Sequence, residues 1–137
     1  MPLTILAHSR NCESMIDIVG GMHERPILPV PTEVHAELAA HTFRMLADPT
    51  RVKILWALLQ EEASVTALAE HIGSSTTAVS QHLAKLRLAG LVDSRRVGTF
   101  IYYSAQDPHV HRLLAETLSR AEHETGVATG SDHAYRS

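Results

Sequence analysis

The sequence predicts one mainly α (α+β) domain of about five helices and a two-stranded β-hairpin. Three observations lead there. At 137 residues, with 45% apolar and 20% charged side chains, the chain suits a single globular domain and is short for two. Aromatics make up only 4% (Trp56, Phe43, Phe100, Tyr102, Tyr103, Tyr135), while Ala and Leu abound, favouring aliphatic helices over an all-β sandwich. The apolar spacing is helical almost throughout and switches to period two once, after Gly90.

Residues 1–31 contain Gly20-Gly21, Pro26, Pro29 and Pro31, which interrupt helices and central strands, so this stretch is expected to be an irregular arm, with Met15 and Met22 as alternative starts. The folded domain is expected over 32–124. Val34, Leu38, Phe43 and Leu46 mark a first helix that stops before Asp48-Pro49. Asp48 then caps a second helix with Pro49 at its first position, carrying Val52, Ile54, Leu55, Leu58 and Leu59, with Trp56 alongside. Ser64 caps a third helix, about two turns long, that ends on Gly73. A fourth runs from the hydroxyls Ser74-Ser75-Thr76-Thr77 to Gly90, with Val79, Leu83 and Leu86 on one face. Leu91–Arg96 and Thr99–Ser104 alternate like strands and join across Val97-Gly98. Asp107-Pro108 repeats the cap-and-proline start for a last helix of about four turns, His109 to Glu124; residues 125–137 are polar and expected to be a flexible tail.

Charge and cysteine usage narrow the function classes. The single cysteine, Cys12, excludes an internal disulfide or a Cys-rich zinc fold, and no apolar run approaches the ~20 residues of a membrane span, so a cytoplasmic protein is expected. Net charge is −3, but Lys85, Arg87, Arg95 and Arg96 stand against Asp93 alone between 80 and 103, leaving eight basic and fourteen acidic residues elsewhere. A basic patch therefore sits on an acidic body. Two helices around a short glycine turn, followed by a basic ribbon, form a winged helix-turn-helix pattern, which places double-stranded DNA as the partner. Ser80, Gln81 and His82 on the fourth helix are the polar groups suited to base edges, although His82 equally suits a buried histidine bonded to backbone. Thr76 and Thr77 at its start suit phosphate oxygens, and Ser75 and Lys85 are assigned to the same DNA-binding set, although Ser75 and Thr76 taken alone suit helix caps; Arg95 and Arg96 near the hairpin tip would reach the flanking backbone or minor groove.

Phe43-Arg44-Met45-Leu46-Ala47-Asp48-Pro49-Thr50-Arg51, Ser80-Gln81-His82-Leu83-Ala84-Lys85-Leu86 and Gly90-Leu91-Val92 resemble the ArsR/SmtB family of bacterial metal-sensing repressors, over about residues 35–124. The resemblance implies a homodimer whose first and last helices form the subunit interface. It also implies repression of an efflux or resistance operon and release of DNA on metal binding, and therefore no enzymatic activity. A metallohydrolase is disfavoured independently, because the sequence lacks a helical metal-ligand pair with a nearby general base.

Candidate metal ligands concentrate on the last helix. The third helix, Ser64-Val65-Thr66-Ala67-Leu68-Ala69-Glu70, has no sulfur and so cannot supply the thiolate pair of the family's arsenic and cadmium sensors. His109 and His123 are fourteen residues apart, about 21 Å along one helix, so they cannot share an ion within a chain. Fourteen residues is also nearly four turns, so both rings lie on nearly one face. Antiparallel pairing of two copies would bring His109 beside the partner's His123. Asp107, His109 and His123 match the ligand positions of the family's last-helix zinc sites, although Asp107 also serves as a helix cap. Arg120 stands where a fourth ligand belongs. The arrangement, with adjacent Glu122 and His123 and a further His133, is closest to the family's actinobacterial nickel/cobalt sensors; more than four N/O donors favour octahedral Ni(II) or Co(II), with Zn(II) or a non-metal signal as alternatives. His23 or the arm could also contribute. His111, about 200° from His109, is expected at the surface.

Overall fold

The computed structural model describes residues 27–127. The expected positions of Cys12, His23 and His133, and most of the arm and tail, lie outside them. Residues 27–32 carry no helix or strand, and a compact unit begins at Val34. The elements run α1 (Glu33–Leu46), α2 (Pro49–Gln60), β1 (Ala63–Ser64), α3 (Val65–Ile72), α4 (Thr76–Leu88), β2 (Asp93–Val97), β3 (Phe100–Ser104) and α5 (Pro108–Thr125).

Local chemistry sets the helix boundaries. The Asp48 carboxylate accepts the Arg51 N–H at 3.0 Å, and Pro49, which has no N–H to satisfy, opens α2. Ser64 and Ser75 do the same for α3 and α4, accepting from the Ala67 and Ala78 N–H groups at 3.2 and 3.1 Å. The chain turns from α3 into α4 at Gly73, whose φ of 75° is a left-handed conformation that a side chain would strain. The N–H groups of Gly73 and Ser74 both return to the Ala69 carbonyl, closing α3 so that α4 can leave in a new direction.

α4 is held by its inner face. Val79, Leu83 and Leu86 are fully buried against Ile54, Leu55 and Leu58 of α2, Leu68 and Ala69 of α3, and Val110 and Leu114 of α5. Burial of this aliphatic stripe fixes the rotation of α4 about its axis, which decides the residues it presents outward.

Two features differ from the sequence expectation. The hairpin is part of a three-stranded antiparallel sheet in the order β1-β3-β2: Ala63 pairs with Tyr103 and Ser64 with Tyr102. A two-residue strand has no periodicity to detect; the Ala105 N–H, donating to the Leu58 carbonyl at 3.3 Å, brings β3 alongside this segment. The hairpin turn also lies one residue later than expected. Gly98, with φ of 61°, takes the first loop position, and Val97 joins the ladder opposite Phe100.

α1 meets this core only through partly buried Leu46 at its last position. It has no buried residue, and Val34, Leu38 and Phe43 are 64%, 61% and 57% exposed. An apolar groove of about 220 Å³ opens between Phe43, Leu46, Ala47 and Val52 on one side and Leu113, Leu114, Thr117 and Leu118 of α5 on the other.

Leu83→Ala should remove side-chain volume from the centre of the core and lower unfolding free energy by about 2–5 kcal/mol, read by denaturant titration. A loss below about 1 kcal/mol would mean that α4 is not anchored through this residue.

Candidate functional site

The outer face of α4 follows from its buried one. Thr76, Thr77, Ser80, Gln81, Ala84, Lys85, Arg87 and Leu88 are exposed. At about 100° per residue, Thr77, Gln81, Ala84 and Leu88 form the central line, flanked by Ser80 and Lys85. This strip of small side chains, hydroxyls, one carboxamide and one ammonium can enter a groove and donate to or accept from base edges. Ala84 and Leu88 were not singled out from sequence. Leu88 is 91% exposed on the same line, and its helical spacing from Gln81 was the available signal. Ser75 spends its hydroxyl on the cap, while Thr76 and Thr77 are exposed on the first turn of α4.

His82 departs from the expectation of a base-reading residue. Its side chain is only 20% exposed, its Nδ1 is buried without a hydrogen bond, and its Nε2 lies 3.9 Å from the Asp48 carboxylate. Position 82 follows Gln81 by one step of about 100°, which rotates it from the outer strip toward the corner between α1 and α2. The Arg51 N–H, followed by smaller contributions from the charges of His82 and Arg51, holds Asp48 below the ordinary carboxylate range despite some desolvation.

The two wing arginines are used differently. Arg95 donates through Nε to Glu62 Oε2 at 2.7 Å and through Nη2 to Oε1, a forked pair between residues 33 apart in sequence. Its guanidinium also lies 5.5 Å from the ring centre of Tyr102, its cross-strand partner. The hydrogen bonds with Arg95 pull Glu62 below the usual range and raise Arg95 further. Arg96 pairs across the ladder with Ile101 on the opposite face and is exposed, with no side-chain partner among the described residues. Glu62 had no signal in the sequence, because its role arises from a contact made only in the folded chain.

On α5, Asp107 accepts the N–H groups of His109 and Val110 at 2.8 and 3.3 Å, both through Oδ1. His109 and His123 are exposed at opposite ends of the helix. His123 Nδ1 lies 2.8 Å from the Ser119 carbonyl, to which it donates, and this turns Nε2 away from the helix backbone, the orientation commonly seen for a ligating imidazole. Glu122 is half-buried and about 100° around the helix from His123. Arg120 is paired with Glu124 at 3.0 Å. Among the described residues, no three His, Cys, Asp or Glu side chains gather closely enough to hold an ion within one chain. The donors on α5 are imidazoles and carboxylates without thiolate, a set suited to borderline and hard divalent cations.

His111 is not at the surface. The 200° rotation from His109 carries it to the core side, where its ring lies 5.6 Å from that of Trp56 and its Nε2 is buried without a hydrogen bond. The signal was available: Val110, Leu114 and Ala115 are the buried residues of α5 and define that side. No described helix is long and apolar enough to cross a membrane.

Comparison with known proteins agrees with this architecture. Residues 48–94 match the family model described as bacterial regulatory protein, arsR family. The HTH-type transcriptional regulator KmtR of Mycobacterium tuberculosis is 51% identical over 86 residues, 63% of this chain and 66% of KmtR, a little under two thirds of its length. NmtR of the same organism, also an HTH-type transcriptional regulator, is 42% identical over 99 residues, covering 72% of this chain and 82% of NmtR. A solved homodimeric winged helix-turn-helix DNA-binding domain from Mycobacterium bovis superposes with a TM-score of 0.60 at 32% identity, over 75% of this chain and 98% of that one.

The outer strip of α4 gives a direct expectation. Gln81→Ala should reduce discrimination between a selected duplex and one of arbitrary sequence by about 1–3 kcal/mol, whereas Lys85→Ala should weaken both alike and flatten the salt dependence. Equal loss on both duplexes in the Gln81 variant would remove it as a base-reading residue.

Proposed function

Because the chain belongs to the ArsR family of metal-sensing transcriptional repressors, we propose that it binds operator DNA as a homodimer and is released by Ni(II) or Co(II) held at the α5 seam between subunits. The carrying observation is the position of His109 and His123: both exposed, on nearly one face, at opposite ends of a helix that lines an open apolar groove beside the exposed apolar residues of α1. A second copy laid antiparallel along that flank would bring each His109 to the other subunit's His123. Asp107 and Glu122, with His133 of the tail, are the further donors assigned to the site. An ion there would supply bonds joining the two subunits at each end of the seam.

The remaining work belongs to the chain itself. Asp107 caps α5 and so fixes where His109 projects. The Ser119 carbonyl orients the His123 ring. Arg120, drawn to Glu124, leaves the position of a fourth tetrahedral ligand to a cation and thus disfavours a four-ligand zinc site. Operator recognition is assigned to the α4 strip with Arg96 on the wing, two copies meeting half-sites about one helical turn apart. Coupling requires that the dimer arrangement favoured by metal fit the groove less well, and release is then limited by the difference in metal affinity between the two arrangements. A regulator of this kind works in the cytoplasm, beside the chromosome.

His109→Ala and His123→Ala should each keep operator affinity within about twofold and lose metal-induced release, read by titrating a labelled operator duplex with and without Ni(II), Co(II) and Zn(II). The absorption of the Co(II) complex distinguishes octahedral from tetrahedral coordination. Unchanged release in both variants would dismiss the α5 site, and tetrahedral cobalt with release by zinc alone would reassign it to Zn(II).

A further inference from the structure

The wing is tied to the helix-turn-helix by little backbone. β1 pairs with β3 at only two positions, Ala63 with Tyr103 and Ser64 with Tyr102, while β2 is the far edge strand in the order β1-β3-β2. The tip beyond these pairings carries exposed Arg96, Val97 and Phe100. The base of the ribbon is anchored by buried Val92 and Ala105, but beyond the two pairs with β1 its tip has no further strand partner among the described residues to fix its twist.

Arg95 closes this freedom. It starts on the far edge strand, passes over the ring of its cross-strand neighbour Tyr102 on the central strand, and reaches Glu62, the residue immediately before β1. The side chain thus straps across all three strands. Its far anchor is the linker between α2 and β1, two residues before the Ser64 cap of α3. The fork has two parallel bonds, which fix direction as well as distance. Phe100, 6.5 Å from Tyr102 between ring centres, extends the same face toward the tip.

We propose that Glu62 and Arg95 act as positioning residues for DNA binding, bracing the wing at a fixed angle to α4 and leaving Arg96 as the wing arginine that meets phosphate. This rests on the DNA-binding reading above but assigns a role to a residue pair outside the reading strip and the metal site. The sign of charge makes the idea sharp. A carboxylate beside a polyanion should oppose binding, so on charge alone Glu62→Gln should tighten the complex; the brace requires it to loosen. A guanidinium already committed to a carboxylate releases no counterions from DNA, so Arg95 should leave the salt dependence alone, whereas Arg96 should contribute about one unit of slope per subunit.

The test compares wild type, Glu62→Gln, Arg95→Gln, the double variant Glu62→Gln/Arg95→Gln and Arg96→Gln. Each is titrated against a duplex enriched by in-vitro selection on the wild-type protein, across a salt series. The brace predicts that Glu62→Gln and Arg95→Gln each weaken binding by about two- to thirtyfold in the dimer, each wing losing up to about fivefold, with the double variant no worse than either. The Arg95→Gln salt slope should match wild type, and only Arg96→Gln should flatten it. Tighter binding by Glu62→Gln, a flattened slope in Arg95→Gln, or unchanged affinity in both would overturn the proposal. Arginine side-chain NMR of the free protein gives a readout independent of DNA: the Arg95 Nε–H should exchange slowly in wild type and rapidly in Glu62→Gln. Fast exchange in wild type refutes the brace itself, while slow exchange in a protein that binds no duplex refutes the DNA-binding reading instead.

Discussion

An uncovered apolar seam governs this molecule. α1 is a fourteen-residue helix with no buried side chain, and helices of that length are marginal in water without a packing surface. Within its own chain it is attached by its end: Arg51 donates through Nε to the Met45 carbonyl at 2.7 Å, tying the last turn of α1 to the start of α2. Val34, Leu38 and Phe43 nevertheless face solvent, and the neighbouring groove against α5 is lined by leucines. Such a face is stable when another apolar surface covers it, and the solved relative that is homodimeric supplies the precedent of a second copy.

On the proposed reading, the same seam would bring together the histidines of α5 from two chains. Rings about 21 Å apart on one rod cannot meet, but they can meet their counterparts on a rod running the other way. It also gives a physical route to the reading helix. α5 packs on α2, with the His111 ring beside Trp56, and α2 packs on α4 through Ile54, Leu55 and Leu58. α2 is therefore common to the seam and to the anchorage of α4, and on the proposed reading a change in how two chains meet would be passed to the spacing of their α4 helices through a close-packed core.

Much of this was legible in the sequence because it is local. Asp48-Pro49, Ser64, Ser75, Asp107-Pro108 and Gly73 are signals in which the side chain or backbone preference acts within one turn, and each stands where its chemistry placed it. The outer strip of α4 was legible for the same reason, since Val79, Leu83 and Leu86 fix the opposite face. What escaped depends on contacts distant in sequence. Glu62 meets Arg95 across 33 residues, and Ala63-Ser64 becomes a strand only because β3 lies beside it. His82 and His111 show the limit of reading polarity as exposure: each is a polar side chain on a partly inward position, decided by which neighbouring residues fill the core.

The central claim is that one functional site is shared between two chains. It is tested most directly by mixing His109→Ala protein with His123→Ala protein, allowing subunits to exchange, and measuring Ni(II) or Co(II) stoichiometry on the isolated heterodimer. In that species one end of the seam loses both imidazoles while the other keeps both, so the account predicts one restored site per heterodimer where either parent homodimer has none of native affinity. A heterodimer that binds no better than its parents would contradict a shared site and place the ligands within single chains.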